Sequence, residues 1–355
     1  MTIVVDCRMI DSSGVGVYLR GILPFLLKSQ NNFFLFGNAA KLNSFSSGSN
    51  VKIIECNIKP FSLGELFFFP SGTARQINKA DVYFTPFFNI PCGIKIPVFP
   101  TIHDIVFPDM PELSSKAGLA ARMWFFRRAY KKSRKIFTVS QFSKSRIEHH
   151  LGAEKPIIVT HSAIQQKFLE YRIGTRGIKK KETIIFIGNL KKHKGLDCLL
   201  DAFALAKKEG FAHQLIIIGS KENFRTSDNT ILRKIESFGG DTVSFAGFVS
   251  DEKLMEYLST ASLLVQPSLY EGFCLPPLEV MVLGTRVLIS DIPVLKEIYA
   301  EYPVTFFRVG DSNDLKEKMM ELLLNKKPQT FSLPEHLAKK YTFEKTASII
   351  LKELS

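Results

Sequence analysis

The tightest constraint on this chain is a rhythm. Short apolar runs rich in β-branched and aromatic residues alternate with amphipathic helical stretches, in two successive sets. The first set opens with TIVV, a glycine turn and VYLRGILPFLLKSQ. It continues through FFLFG, VKIIEC, DVYFTP, PVFPTIHD, a basic helical stretch near 115–133, RKIFTVS, a helix near 141–151 and PIIVTHSAI. The second runs from ETIIFIGNL through LDCLLDAFALAKKEG, HQLIIIGS, TILRKIESFG, VSFAGFV, DEKLMEYLSTA and SLLVQPS to RVLIS, PVLKEIYA, VTFFRV and DLKEKMMELLLN. Runs apolar on both faces suit strands covered on both sides, and strands alternating with helices pair in parallel through helical crossovers. The fold class is α/β, built of βαβ units.

At 355 residues the chain exceeds what one core usually supports, so two domains are expected. The Gly- and Lys-rich segment YRIGTRGIKKKE, 171–182, is the natural boundary. Both halves open alike, with a buried strand, a glycine turn and a helix, in VVDCRMIDSSGVGVYL and FIGNLKKHKGLDCLL. That echo points to two Rossmann-like domains with parallel sheets facing a central cleft.

Composition excludes several classes. Apolar residues make up 45% and charged residues 23%, which argues against long disorder. No window reaches the roughly 18 consecutive apolar residues of a membrane span. Asp6 and Arg8 follow the first apolar run at once, so MTIVVDCRM is no signal peptide and a cytoplasmic protein is expected. Five scattered cysteines without a C-x-x-C pair read as buried reduced thiols, and the seven histidines have no metal-ligand spacing; no metal or other cofactor is expected. The net charge of +13 asks for an anionic partner. No zinc finger, RNP sequence or KH-type loop supports nucleic acid as that partner.

The stretch SLYEGFCLPPLEVMVLG, 268–284, carries Glu271 and Glu279 eight positions apart. Carboxylates sharing one helical face stand three or four residues apart, and two adjacent prolines fit a helix only in its first turn. Glu271 is therefore placed in a loop, and Glu279 in the first turn of a helix that opens near Pro276 or Pro277 and ends near Gly284. With the strand SLLVQPS in front, the unit is strand, loop, helix N-terminus, where open α/β sheets bind ligands and free N–H groups favour phosphate.

Four further motifs each carry two readings. Gly14-Val15-Gly16 falls short of a dinucleotide fingerprint, because Leu19 holds the third glycine position and no acid follows between Asp11 and Glu55. It reads as a substrate-facing loop or a plain tight turn. His103-Asp104, at the end of a strand-like run, reads as a contact to a polar substrate or as a structural histidine. Lys191, Lys192 and Lys194 precede a helix, as a phosphate site or a solvated basic loop. The stretch ARMWFFRRAYKKSRK, within which 122–135 concentrates basic and aromatic residues, reads as a contact to an anionic membrane or as a helix whose aromatic face covers the sheet.

Taken together these residues resemble the retaining glycosyltransferases of family 4, which have the GT-B fold. The resemblance spans nearly the whole chain: the Gly14–Gly16 loop, His103-Asp104, TVSQFSKSRI, GNLKKHKGL, AGFVSDEKL, PSLYEGFCLPPLEVM and YTFEKTA. Its most specific element is the E-x7-E pattern of Glu271 and Glu279 with the following GTRVLISD. Among members it is most similar to the bacterial mannosyltransferase-like branch that assembles O-antigens and related surface polysaccharides.

The resemblance implies an acceptor-binding domain over 1–170, joined by a C-terminal helix 337–355, and a nucleotide-sugar-binding domain over 182–336. It implies that Glu271 contacts hydroxyls of the donor sugar, and that Glu279 holds the ribose. Lys194 and the backbone N–H groups of Gly272, Phe273, Cys274 and Leu275 would hold the diphosphate. Gly247, Phe248 and Val249 would flank the base, and His103 would reach the donor sugar, with Gly14, Gly16 and Asn189 lining the donor. Donors are GDP-mannose or a UDP-hexose; the acceptor is a glycan, lipid-linked in the branch resembled. Location is then cytoplasmic, with peripheral attachment to the inner face of the plasma membrane through 122–135 left open. Two departures stand out. Asn189 occupies a common arginine position, and Cys274 replaces the glycine of E-G-F-G, implying that tight backbone geometry is not needed there. The rivals are a glycoside hydrolase using Glu271 and Glu279 and a non-catalytic sugar-nucleotide-binding protein.

Overall fold

A computed structural model describes residues 1–12, 14–172, 178–219, 229–324 and 333–355. Residues 173–177 of the segment read as the domain boundary therefore lie outside the described residues. The chain divides into two compact units, Met1–Ala163 with Tyr341–Ser355, and Ile164–Lys340.

In the first unit, β1 (Thr2–Asp6), β2 (Asn32–Gly37), β3 (Val51–Glu55), β4 (Val82–Thr85) and β5 (Val98–Pro100) form a sheet ordered β3-β2-β1-β4-β5. Every pairing is parallel. The parallel pair β6 (Ile136–Thr138) and β7 (Ile157–Val159) continues from β5 through bridges at Val98–Ser133 and Thr101–Phe137. Strands such as TIVVD are buried along almost their whole length, as double-sided covering requires. The helix Gly14–Leu27 is seated closely on the terminal helix Phe343–Leu354: a Cβ added at Gly21 would meet the Phe343 ring at 2.3 Å.

The second unit contains β8 (Thr183–Ile187), β9 (Gln214–Ile218), β10 (Val243–Gly247), β11 (Leu263–Gln266), β12 (Arg286–Ser290) and β13 (Thr305–Phe307), ordered β10-β9-β8-β11-β12-β13 and all parallel. Phe186, Leu199, Phe203, Leu215, Leu263, Leu288 and Met319 are among its fully buried core residues. The order reverses between β8 and β11. Loops leaving the carboxyl ends of two such strands diverge to opposite faces of the sheet and open a crevice for ligands.

Cys7, Cys56 and Cys274 are buried as expected of structural thiols, whereas Cys92 is exposed. Among the described residues no helix is long and apolar enough to cross a membrane.

Candidate functional site

The crevice at the β8/β11 reversal is where the second unit gathers its chemistry. The loop after β8 winds into a short 3-10 turn, Lys192–Lys194, and Gly195 then starts the helix Leu196–Lys208. The loop after β11 runs from Pro267 to Leu275, where the helix Pro276–Val282 begins with its prolines in the first turn. The two loops touch. The Leu269 N–H donates to the His193 carbonyl at 2.8 Å, and a Cβ on Gly195, whose φ is +69°, would lie 1.8 Å from the Pro267 carbonyl oxygen. Only glycine allows that approach.

This contact aligns Lys194 with Glu271. The Lys194 ammonium donates to Oε1 and Oε2 of Glu271, each at 2.8 Å, with side-chain exposures of 19% and 8%. The Ser268 hydroxyl donates to Glu271 Oε1 at 2.7 Å, and is itself fixed by the Gln266 amide at 2.9 Å. Burial alone would raise the Glu271 pKa; the Lys194 ammonium and the Ser268 hydroxyl outweigh it and hold the carboxyl below its usual range. His193, desolvated and beside Lys194, is pushed down to about 4 and is neutral at physiological pH. Lys191 and Lys192 are exposed, so of the three lysines read from the sequence it is Lys194 that meets Glu271.

Glu279 sits in the first turn of the helix Pro276–Val282, buried. Burial raises its pKa to about 7, offset only in part by the Gln165 amide, which donates at 3.5 Å, and by Lys167. Thus the two glutamates of one motif occupy opposite electrostatic settings. Gly272, Phe273 and Cys274 are buried between them and Leu275 is half-buried.

Cys274 corrects one expectation. Its φ is +74°, in the left-handed region that glycine tolerates and L-residues rarely adopt, so tight geometry is required here even though the glycine is gone. The Tyr299 hydroxyl donates to the Cys274 carbonyl and helps hold the turn.

The far side of the crevice is made by the ends of β8, β9 and β10. The Gly219 N–H donates to the Gly247 carbonyl at 3.0 Å, and a Cβ on Gly219 would fall 1.9 Å from the Gly188 carbonyl oxygen. Asn189 follows directly, and its buried Oδ1 lacks a hydrogen-bond partner among the described residues. Gly247 turns with φ +69°, Phe248 projects at 93% exposure and Val249 is half-buried.

His103, Gly14 and Gly16 belong to the first unit. His103 is half-buried, its Nε2–H donates to the Pro86 carbonyl at 2.7 Å, and burial lowers its pKa. Since a carbonyl can only accept, the neutral ring keeps Nδ1 as an acceptor. The ring meets Tyr18 edge-on at 5.0 Å. Gly14 and Gly16 lie in the first turn of the helix Gly14–Leu27, not in a loop. Gly16 has a steric reason, because a Cβ there would come 2.4 Å from the Ile10 carbonyl oxygen, while Gly14 opens onto empty space.

Sequence reading missed Ser268, His193, Gln165, Gly195 and Gly219. Gly195 carried a signal: a glycine where a polar helix N-cap is usual suggests a left-handed residue.

The solved structures most informative about the fold include a protein from Anabaena, Alr3699/HepE, in complex with UDP and glucose: TM-score 0.70, 17% identity, over 100% of this chain and 99% of that one. Sucrose-phosphate synthase from Thermosynechococcus elongatus superposes with TM-score 0.72 at 17% identity, over 99% and 98%. Both likenesses place the chain in the GT-B fold. Residues 170–340 match the family of glycosyl transferases group 1, a span lying wholly within the second unit.

Among curated relatives, O-antigen chain mannosyltransferase B of Escherichia coli is 27% identical over 259 residues, 68% of this chain and 64% of that protein. O-antigen chain mannosyltransferase RfbU of Salmonella typhimurium is 27% identical over 207 residues, 56% of this chain and 53% of that protein. The matched region thus spans less than two thirds of either relative's length.

Proposed function

We propose that the chain is a retaining glycosyltransferase of family 4 that moves a hexose from a nucleotide sugar to a growing surface glycan. The observation that carries this reading is the Lys194–Glu271 pair set at the strand-order reversal, beside the N-terminus of the helix Pro276–Val282. Departure of a nucleoside diphosphate builds charge on phosphate oxygens, and an ammonium with backbone N–H groups stabilises that charge. Lys194 and the N–H groups of Gly272, Phe273, Cys274 and Leu275 take the diphosphate. Glu271, held anionic by its neighbours, accepts from donor-sugar hydroxyls. Glu279 accepts from the ribose, and Gly247, Phe248 and Val249 flank the base.

His103, with Nδ1 able to accept but not donate, suits a sugar hydroxyl, and Gly14, Gly16 and Asn189 complete the donor contacts. With front-side attack the departing phosphate takes the acceptor hydroxyl's proton, so no protein base is required. The names of the relatives support mannose, hence GDP-mannose, and an O-antigen-type acceptor, lipid-linked in our reading; the UDP of the Anabaena complex keeps a UDP-hexose in play. The group 1 match does not favour the hydrolase reading.

The test is incubation with a panel of GDP- and UDP-sugars, with and without acceptor glycan. Nucleoside diphosphate released only with acceptor supports transfer. Free sugar from a glycoside without nucleotide would replace it with hydrolysis, and tight nucleotide-sugar binding without turnover would leave a binding protein.

A further inference from the structure

The helix Leu63–Phe67 is patterned inside out. Its carboxylate, Glu65, is fully buried, while Leu63, Phe67 and the following Phe68 are 70%, 66% and 77% exposed. A surface helix ordinarily turns its apolar stripe inward and its charges outward. Single exposed apolar residues need no explanation, but a contiguous group marks an interaction surface.

The inversion is enforced from beneath. Arg8 meets Asp6 through Nε at 2.9 Å and Nη2 at 2.6 Å, and its Nη1 lies 2.7 Å from Glu65 Oε1, the side chains of all three being buried. Glu65 also accepts from the Asn89 amide and, through Oε2, from the Phe61 N–H at 2.7 Å. That last bond anchors Phe61 at φ +63°, a conformation phenylalanine adopts only under constraint. Buried charge and backbone strain together hold out a row of aromatic side chains.

The row continues onto a neighbouring helix. The Phe61 ring, 41% exposed, lies 5.4 Å from Phe125, which lies 5.1 Å from Trp124, 49% exposed. Trp124 belongs to the helix Lys116–Lys132, where Arg127, Arg128 and Lys131 follow it at spacings that share its side. No Asp or Glu occurs from Lys116 to Lys135. The other aromatics of this helix do not provide the surface: Phe126 and Tyr130 are buried. The exposed apolar area comes chiefly from 61–68.

We propose that this face docks on an anionic lipid surface, with Leu63, Phe67, Phe68 and Trp124 entering the headgroup layer and the exposed Arg127 and Lys131 pairing with lipid phosphates, while the Arg128 guanidinium is held by the Ile90 and Pro91 carbonyls. Charge selects the occupant. A second copy meeting this face would bring like-charged arginines and lysines together, whereas an anionic bilayer supplies both the apolar layer and the counter-charge. The proposal is independent of the donor chemistry, and its test contains no nucleotide.

Trp124 is the chain's single tryptophan, so its emission reports from the face itself. The full chain should co-sediment with vesicles of phosphatidylcholine and phosphatidylglycerol but not with phosphatidylcholine alone. Trp124 emission should shift to the blue and be quenched by brominated lipid, all weakening as salt is raised. The triple variant Leu63→Glu/Phe67→Glu/Phe68→Glu should lower partitioning by at least about tenfold with an unchanged melting curve. Arg127→Glu/Lys131→Glu should remove the preference for anionic vesicles. Equal sedimentation with neutral vesicles, or wild-type emission unmoved by vesicles, would overturn the proposal whatever the variants do. A dimer dissolved by the triple variant, without vesicle binding by the wild type, would assign the face to a second copy.

Discussion

Lys194 and Glu271 form a two-pronged pair, the ammonium nitrogen standing 2.8 Å from each carboxylate oxygen. The residues come from loops following two adjacent strands and are 77 positions apart in the chain. The pair neutralises charge that burial would otherwise penalise, and it brings the proposed phosphate ligand and sugar ligand to one point.

Removing the lysine should strand the carboxylate. Lys194→Ala is expected to destabilise the fold by about 3–5 kcal/mol, as loss of one partner of a buried ion pair does, and to abolish transfer. In urea denaturation, Lys194→Ala/Glu271→Ala should recover part of that loss. A double variant at least as unstable as the sum of the singles would show that the pair is not coupled.

Glu279 predicts a pH dependence. Its folded-state pKa is raised to about 7 by burial, so the stability it contributes is fully present below its ordinary value and is lost as pH rises through 7. Glu279→Gln should therefore gain on the wild type between pH 5 and 8, by on the order of 2–3 kcal/mol at the alkaline end. Melting temperatures across that range check it; a parallel pair of curves refutes it. A ribose that donates to the carboxylate should also displace a proton near pH 7, read as buffer-dependent heat in titration calorimetry.

Cys274 stands at φ +74°. Cys274→Gly relieves roughly 1–2 kcal/mol of left-handed strain while losing a small buried side chain, so stability should change by less than about 1 kcal/mol. Cys274→Val, β-branched at the same φ, should be clearly worse. Comparable midpoints for Gly and Val variants would contradict the strain.

Gly195 tests the contact between the two loops. An alanine Cβ would lie 1.8 Å from the Pro267 carbonyl oxygen, so Gly195→Ala must push the loops apart. Thermal-shift measurements with nucleotide sugars should show loss of ligand stabilisation in any fraction that still folds. Retained stabilisation would mean the contact does not shape the site.

The sequence alone determined the features that depend on neighbours along the chain. Periodicity marked the parallel α/β architecture, and the two prolines put Glu279 in a first helical turn with Glu271 in the loop before it, as observed. Chain-local physics is enough for these, because φ restriction and side-chain period act within a few residues. It failed at Gly14 and Gly16, where a glycine-rich stretch read as a loop is the start of a helix whose second glycine makes room for the Ile10 carbonyl. It failed again at Cys274, since a left-handed φ on a non-glycine residue has no local signature. Only the tertiary structure decided that β8 lies beside β11, so that Lys194 meets Glu271 and Gly195 meets Pro267. Only it turned Glu65 inward onto Arg8 and left Phe67 and Phe68 outside. Strand order is set by packing among distant segments, and partners fixed by it cannot be read from either segment by itself.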